Sequence, residues 1–490
     1  MNNFTDLDRK ITEVFPNESV YKSRENYSIF SGKNIPSFIK DWLIKKFTDN
    51  DGYLDKESLL DFLDKFIPRK ENTERIKGEL IRTRKSKTLL CRAIIEPDIR
   101  KDLMRFSIPD LEIKPQEGRV ERYLLEKYKE LEGGEVWGIF TIAYIPPEDK
   151  NGGCISLIDY KPFKPYDIDF EYFIEGRNEF TIEEWIDLLI KSMEYNPDRF
   201  QSLEQKLLFL SRLLIFVEPR LNIIELAPKG TGKSYIFNNL SKYGWCISGG
   251  IVSRAKMFYD ISKGSFGFIQ KYDFIAMDEI QTIKFTDENE LRGALKNYLE
   301  SGRFTVANVS GSSNAGMILL GNILLDENLQ PLKNTYFSDL PEFFHESALL
   351  DRFHAFIEGW RLPRITEDMK VRGYTLNVEY FSEILHYLRD CSEFAAIVED
   401  LLEIPPKADT RDVIAIKKLC TSYLKLLFPN YKKLNSIDKK EFEIFCLKPA
   451  LEKRGIIRKQ IHLIDYEFKK DLPDIQIKKK LNNERKNLNQ

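Results

Sequence analysis

Two short polar motifs, each directly after an apolar run, carry the residue types that phosphate chemistry needs. The first is residues 227–234, Ala-Pro-Lys-Gly-Thr-Gly-Lys-Ser, which follows the run Ile223-Ile224-Glu225-Leu226. The second is Asp278-Glu279, which ends the apolar run 274–277. Closely spaced glycines let backbone N–H groups point at phosphate oxygens, and paired carboxylates can hold Mg2+ and polarise water. Their order and spacing predict a site that binds ATP with Mg2+ and hydrolyses it.

The chemistry of each side chain predicts its role in this site. Lys233 is expected to reach the β- and γ-phosphates, and the Ser234 hydroxyl and Asp278 are expected to hold Mg2+. Glu279 is expected to polarise the attacking water. The motif departs from the common phosphate-loop pattern at Ala227, where a methyl group is tolerated if φ is negative. The candidate nucleotide-binding residues are Pro228, Lys229, Gly230, Thr231, Gly232, Lys233, Ser234 and Tyr235.

Three further polar residues occupy positions that AAA+ ATPases use in catalysis. Asn322 ends the apolar run 317–321 and is expected to orient the water. Arg352 precedes the apolar run 353–357 and is expected to act in trans on a neighbouring subunit's nucleotide. Arg411 lies at the start of a predicted helix and is expected to touch the γ-phosphate. For the two arginines, an ordinary salt bridge or a solvent-exposed helix start is the alternative. A residue that acts in trans requires an oligomer, and we expect a hexameric ring.

The elements that position these residues predict an α/β fold. Apolar segments at Ile224, Cys246-Ile247, 274–276, 318–320 and 353–357 alternate with helical patterns. This alternation predicts an AAA+ αβα core with a parallel five-stranded sheet, ligand at the carboxyl ends of the strands, and a C-terminal helical lid. An N-terminal α+β region precedes the core.

The domain prediction follows changes in periodicity along the chain. Residues 1–175 are predicted to form an N-terminal α+β domain, helical over 1–85 and strand-rich over 86–175. The predicted units that follow are connecting helices over 176–218, the AAA+ core over 219–370, the helical lid over 371–467 and a basic, disordered tail over 468–490.

Composition narrows the class of protein. The 490 residues include 75 Lys and Arg against 77 Asp and Glu, so the net charge of −2 neither favours nor excludes a nucleic-acid partner. The six cysteines form no C-x-x-C pair, which argues against a zinc site and fits a reducing compartment. No apolar run approaches the ~20 residues of a membrane span. We therefore expect a cytoplasmic protein without a membrane partner.

A set of short strings spread over about residues 5–465 carries a resemblance to a known family. The strings are Arg177-Asn178-Glu179-Phe180-Thr181, Glu184-Trp185-Ile186-Asp187-Leu188-Leu189, 228–234, Ser248-Gly249-Gly250, Asp278-Glu279, Gly321-Asn322, Asp351-Arg352-Phe353-His354-Ala355-Phe356-Ile357, Gly359-Trp360 and Arg411-Asp412-Val413-Ile414-Ala415. With them the chain resembles the Lon-like AAA+ proteins of BREX phage-defence systems, the BrxL family. The resemblance implies an ATPase with other BREX components as possible partners. Longer relatives carry a Lon-like peptidase domain after the lid, whereas only some twenty-five residues follow it here, so no peptidase activity is expected in this chain.

The core is also similar to that of MCM replicative helicases. Residues 304–315 are predicted to form two short strands around a Ser/Gly/Asn turn, which fits the hairpin that projects into the pore of such rings. The resemblance implies double-stranded DNA as a partner. Candidate DNA contacts are Arg254, Lys256, Arg303, Ser312 and Asn314, with Lys271 nearby; for each basic residue a solvated surface charge is the alternative.

Two other functions stay open at the level of the sequence. A Lon-like unfoldase or protease-associated ATPase would act on polypeptide, and Lys256-Met257-Phe258-Tyr259 lies where such rings carry an aromatic pore loop. We expect these residues to pack as a helix face instead. A nucleotide-switched assembly scaffold would hydrolyse ATP slowly.

Overall fold

The computed structural model describes residues 4–33, 35–49, 52–98, 101–132, 134–147, 152–262, 264–431 and 436–478. Its first part is helical, with one strand that pairs far along the chain. The elements are α1 (Asp6–Val14), β1 (Ser19–Lys22), α2 (Arg24–Tyr27), α3 (Ser37–Phe47), α4 (Lys56–Phe66) and α5 (Thr73–Thr83). Asp8 and Thr5 cap α1 reciprocally, which fixes where that helix begins.

An antiparallel sheet dominates the next part of the N-terminal region. Its order is β3-β2-β5-β6-β4, and only the β4–β6 pair is parallel. Along β2 the side chains of Leu89, Cys91, Ala93 and Ile95 are buried, the period of two that a sheet with one packed face requires. The elements are β2 (Lys87–Asp98), β3 (Leu103–Ser107), β4 (Gly118–Val120), α6 (Arg122–Lys127), β5 (Gly134–Ile145) and β6 (Cys154–Pro162).

Helices connect this region to a second sheet. They are α7 (Phe170–Asn178), α8 (Ile182–Ser192), α9 (Leu203–Leu210) and α10 (Leu214–Val217). Thr181 and Glu184 form the capping box of α8. The elements of the core follow: β7 (Asn222–Ala227), α11 (Lys233–Asn239), β8 (Gly244–Ser248), β9 (Ile251–Val252), α12 (Arg254–Met257), β10 (Tyr259–Asp260), β11 (Ser265–Phe266), β12 (Phe274–Asp278), β13 (Lys284–Phe285), α13 (Glu288–Ser301), β14 (Arg303–Val306), β15 (Val309–Ser312), β16 (Gly316–Asn322), α14 (Ser347–Leu350) and β17 (Ala355–Glu358).

The central sheet of the core has five parallel strands in the order β17-β7-β16-β12-β8. The predicted parallel five-stranded sheet is therefore present. Every residue of β7 and β12 is buried, because a parallel sheet is covered on both faces. All five strands point the same way, so β7, β12 and β16 end at one edge of the sheet. The two predicted motifs and Asn322 meet there.

Helices follow the core, and the chain ends in a short strand pair. These elements are β18 (Gly373–Leu376), α15 (Val378–Asp390), α16 (Glu393–Leu401), β19 (Leu402–Glu403), α17 (Thr410–Leu427), α18 (Lys439–Phe442), α19 (Lys448–Ile464) and β20 (Gln476–Ile477). β18 pairs antiparallel with β1, which ties the N-terminal region to this part. None of the helices in the described ranges is long and apolar enough to cross a membrane.

The structure differs from the prediction of a disordered tail over its first eleven residues. β20 pairs with β19, and Ile475 is buried. The composition of this segment predicted disorder because its many lysines outweigh the one side chain that is buried among its described residues. Residues 479–490 lie outside the described residues.

The predicted hairpin is present, but its turn lies elsewhere. β14 and β15 pair from Arg303↔Ser312 to Val306↔Val309, so the turn is Ala307-Asn308 and not the Ser/Gly/Asn segment. Ala307 has φ 51°, the left-handed conformation of a tight hairpin turn. Phe304 and Val306 are buried, whereas Thr305 and Ser310 are exposed and share a hydroxyl contact of 3.0 Å. One face of the hairpin therefore packs on the core and the other faces solvent.

Candidate nucleotide site

A glycine turn between β7 and α11 forms the phosphate loop. Gly230 and Gly232 have φ of 84° and 77°, a conformation that residues with a Cβ rarely adopt. A Cβ at Gly232 would also lie 2.4 Å from the Tyr195 hydroxyl. The Ile365 N–H donates to the Gly230 carbonyl at 2.7 Å, which fixes the loop from the side of β17. The backbone geometry is that of an anion cradle.

Lys233 and Asn322 meet above this loop. The Lys233 ammonium donates to Asn322 Oδ1 at 3.0 Å, and Asn322 pairs in register with Ala227 at the end of β7. Burial lowers the pKa of Lys233, against the opposing effect of Glu225 and Asp278. The predicted water-orienting residue and the predicted phosphate-binding lysine are thus direct neighbours.

Gln281 holds the backbone of Asn322. Its Nε2 donates to the Asn322 carbonyl at 2.8 Å and its Oε1 accepts from the Asn322 N–H at 3.2 Å. The same amide also donates to the Asp339 carbonyl at 3.0 Å. The sequence reasoning missed Gln281, because a glutamine two residues after an acidic pair has no pattern of its own.

Asp278 and Glu279 adopt different environments at the end of β12. Asp278 is buried and its Oδ1 accepts from the Glu279 N–H at 2.9 Å. Glu279 is exposed and has φ 50°, which is uncommon for a residue other than glycine and clusters at functional sites. The two carboxylates therefore differ in exposure, which suits a buried metal ligand and a solvent-facing base.

The donor set at this edge fits Mg2+. Ser234 contributes a hydroxyl and Asp278 a carboxylate, and both are hard oxygen ligands of the kind Mg2+ prefers. The buried Asp278 carboxylate acts on Lys233 electrostatically, so the two lie within one small site. Mg2+ bound here would keep part of its water shell, as it does in other phosphate sites.

A buried ion pair supports the loop from below. Arg212 and Glu225 are fully buried and form two hydrogen bonds with each other. The guanidinium Nε donates to Oε2 at 3.0 Å, and Nη2 donates to Oε1. Arg212 Nη1 donates to the Thr231 carbonyl at 2.9 Å. The pair therefore connects β7 to the phosphate loop. Both residues lie inside apolar runs. Two opposite charges in such runs indicate a buried ion pair, and this pattern could have identified the two residues from the sequence.

The departure at Ala227 is accommodated by a glycine elsewhere. Ala227 is in strand conformation and has no positive φ. A Cβ at Gly359 would lie 2.3 Å from the Ala227 Cβ. Gly359 therefore leaves the space that the Ala227 methyl group fills.

Arg352 and Arg411 lie at the other edge of the sheet, not with the phosphate loop. The Arg352 carbonyl accepts from Asn222 at the start of β7, about 16 Å of strand away from Ala227. Both arginines pair with Glu300, at 2.9 Å from Arg352 Nε and 3.1 Å from Arg411 Nη2. A contact of Arg411 with the nucleotide of its own chain is inconsistent with this position.

A buried network holds this pair of arginines. Asp351 accepts from Arg411 Nη1 at 3.0 Å and from Arg454 Nη2 at 2.6 Å. Arg454 is fully buried and also bonds Asp412 at 2.8 Å. The alternative for Arg352 was a salt bridge with Asp351, but Asp351 pairs with Arg411 and Arg352 pairs with Glu300. The network joins β17, α17 and α19.

The candidate DNA contacts fall into two groups. Arg254 is paired with Glu290, and Lys256 donates to the Ile251 carbonyl at 2.8 Å. Arg303 and Ser312 face each other in the exposed hairpin, where no carboxylate of the described residues pairs with Arg303. The Asn314 carbonyl accepts from Arg389 at 2.9 Å, so the backbone of Asn314 is structural.

The aromatic pore-loop alternative is not supported by packing. Met257 and Phe258 are 1% and 0% exposed. The Phe258 ring packs against Tyr298 and Phe304 at 5.7 and 5.4 Å between centroids. The side chains of Met257 and Phe258 belong to the core, and in this conformation they cannot contact a polypeptide. The expected helix face is present only in part, because α12 ends at Met257 and Tyr259 lies in β10.

Comparisons with known proteins agree with this site. A family model described as "Lon-like protease BrxL-like, ATPase domain" matches residues 155–474, and one described as "BREX system Lon protease-like protein BrxL N-terminal" matches residues 13–144. The chain is similar to a protein of Escherichia coli O9:H4 (strain HS) named Lon-like protease BrxL, with 27% identity over 93% of this chain and 65% of that protein. A Bacillus cereus (strain H3081.97) protein of the same name is 28% identical over 87% of this chain and 63% of its own length.

The parallel sheet, the phosphate loop at its carboxyl edge and the matching model define a P-loop ATPase domain. The chain belongs to the BrxL family. It spans 65% and 63% of the two curated relatives, less than two thirds of each.

Proposed function

We propose that this chain is a ring-forming AAA+ ATPase of BREX-type phage defence that couples binding and hydrolysis of ATP to double-stranded DNA. The convergence of Lys233, Asn322, Asp278 and Glu279 on the phosphate loop carries the proposal. Other BREX components are possible partners of the assembly.

The site residues divide the chemistry among themselves. The backbone of 228–234 and Lys233 bind the phosphates, while Ser234 and Asp278 hold Mg2+, which neutralises charge on the β- and γ-phosphates. Glu279 accepts the proton of the attacking water, and Asn322 orients that water. Lys233 exchanges its contact with Asn322 for the γ-phosphate, which frees the amide for this role.

Arg352 and Arg411 act on the site of a neighbouring subunit. Both lie at the edge opposite their own phosphate loop, where a second chain can present its nucleotide. Release from Glu300 makes the guanidinium groups available for the charge that develops on the phosphoryl group. Hydrolysis then requires the ring.

The exposed residues of the core favour DNA over polypeptide as the polymer on which the ATPase acts. The exposed face of the β14–β15 hairpin carries Arg303, Thr305, Ser310 and Ser312, which suit phosphate contacts. Phe258, one of the two aromatic residues that would contact a polypeptide, is buried. The names of the curated relatives, which include "protease", keep polypeptide as the second candidate.

The test is ATP hydrolysis by the purified chain, with and without double-stranded DNA, at two salt concentrations. We expect stimulation by DNA that falls with salt, since phosphate contacts release counterions. Arg303→Ala should weaken DNA binding and the stimulation, whereas Arg9→Ala on α1 is the control.

The other outcomes discriminate between the alternatives. Stimulation by unfolded protein and not by DNA would favour the polypeptide function. Hydrolysis that is slow under all conditions, with Glu279→Gln fully functional in assembly and Lys233→Ala not, would favour the scaffold. Salt-independent activity without DNA binding would contradict the DNA function.

A further inference from the structure

A cavity of about 760 Å³ opens beside the phosphate loop. Its wall includes Gly230, Gly232 and Tyr235 of the loop and of α11. The volume lies within the ~300–1,000 Å³ range of small-molecule sites. The cavity therefore begins where a phosphate chain held by the loop would end.

The position of the cavity fixes which end of a nucleotide it faces. Asp278 and Asn322, which define the γ-phosphate side, lie on β12 and β16, on one side of β7. The cavity is lined by Ile365, which follows β17 on the other side of β7 and bonds Gly230, and by Tyr195, whose hydroxyl packs on Gly232. A bound nucleoside triphosphate must thus direct its nucleoside towards this cavity.

The N-terminal region builds the opposite wall. Lys22, Arg24, Tyr27 and Ser28 line the cavity together with Tyr235. Lys22 is the last residue of β1, which pairs with β18 and so holds this wall against the core. Aromatic rings and hydroxyl groups are the side chains that pack on a base and bond a ribose.

A buried polar relay fixes Tyr235 to this wall. Glu194 accepts from the Tyr235 hydroxyl, from Ser37 at 2.6 Å and from Lys22 at 2.7 Å. Lys22 also bonds Asp41, and these two side chains are 4% and 0% exposed. Buried charges persist only when they are paired in this way, so the relay is a built feature.

We propose that this cavity binds the nucleoside half of the nucleoside triphosphate, so that the N-terminal region completes the nucleotide site. The inference rests on the proposed binding of ATP at the phosphate loop. The Tyr235 ring lies against the base or ribose, and the relay through Glu194 to Lys22 holds that ring in place. A bound nucleotide thereby contacts the N-terminal region, which has no other role in the proposed function.

The experiment compares the binding of ATP and of inorganic tripolyphosphate, each with Mg2+, by the full chain. Ser28 is exposed and lines the cavity, so Ser28→Trp fills it without disturbing the core. We expect the ATP affinity of Ser28→Trp to fall at least tenfold and its tripolyphosphate affinity to stay within twofold. Tyr235→Ala should behave alike, and Ser86→Trp, an exposed serine outside the cavity, should change neither.

The outcomes separate the two proposals. Unchanged ATP affinity in both cavity variants would overturn the nucleoside site. Equal affinity of the unmodified chain for ATP and tripolyphosphate would also overturn it, while the phosphate loop would stand. Binding of neither ligand by the unmodified chain would contradict ATP binding itself.

Discussion

Asn322 is held from two directions, through its side chain and through its backbone. Lys233 contacts its side chain, and Gln281 brackets its backbone. An amide that must orient one water needs this restraint, since misplacement by about 1 Å can cost about 100-fold in rate.

Replacing Gln281 with alanine should therefore lower kcat and leave binding nearly intact. We expect kcat for ATP to fall about tenfold and the dissociation constant for ATP to change less than threefold. Steady-state hydrolysis and equilibrium nucleotide binding measure the two effects. The exposed Gln330→Ala is the matched control, and an unchanged kcat in Gln281→Ala would refute the positioning role.

The contact between Ala227 and Gly359 makes a second prediction. Gly359→Ala should reduce the free energy of unfolding by about 1–3 kcal/mol, because two methyl groups would compete for one space. In an Ala227→Gly background the loss should be smaller. Denaturant unfolding of the four proteins gives the coupling. Gly293→Ala on α13, with nothing within 4 Å of its Cβ, should cause no loss; equal losses in both backgrounds would rule out the pairing.

Many residues of the candidate site could be predicted from the sequence. The phosphate loop, Asp278 and Glu279 carry their own pattern, and the structure brings them together. Gln281 and Gly359 could not be found in the sequence, because each acts through a contact with a distant segment. Arg212 and Glu225 lie between these cases, as charges inside apolar runs.

At the scale of elements, three segments converge on Asp351. Arg411 comes from α17, Arg454 from α19, and Asp351 itself leads into β17. The sequence predicted a helix at Arg411 and a helical lid over 371–467 but not this set of contacts, since helix periodicity says nothing about which polar residues pair across a helix interface. The network fixes the helices after the core against the edge that carries Arg352.

Removing the shared carboxylate should disrupt this junction. Asp351→Ala leaves the buried Arg454 with only Asp412 of its two carboxylate partners, and we expect a loss of about 3–5 kcal/mol in the free energy of unfolding. Thermal or denaturant unfolding measures it. Asp6→Ala removes an exposed pair with Arg9 and should cost less than about 1 kcal/mol. A loss of less than about 1 kcal/mol in Asp351→Ala would show that the network does not stabilise the fold.

At the scale of the whole molecule, the proposed function divides each catalytic site between two chains. The phosphate loop lies at one edge of the sheet and the arginines at the other, so only an assembly of several chains can bring them together. The sequence predicted an arginine that acts in trans. Only the ion pairs that both arginines form with Glu300 show that Arg411 lies beside it.

Mixing two inactive variants tests this division. Arg352→Ala keeps its own phosphate loop, and Lys233→Ala keeps its arginine, so an equal mixture should regain about one quarter of the original rate if sites form between neighbours at random. A mixture of Arg352→Ala with the double variant should regain none. Absence of recovery in the first mixture would contradict a role in trans.

ATP hydrolysis at this site is tested most directly by phosphate release from ATP by the unmodified chain and by Glu279→Gln. We predict that this release requires Mg2+ and stops on chelation. Glu279→Gln should bind ATP within about threefold of the original affinity. Its rate of phosphate release should fall at least about 100-fold, because only the base is lost. Equal rates in the two proteins, or no binding of ATP by the unmodified chain, would contradict the assignment of this edge of the sheet as an ATP-hydrolysing site.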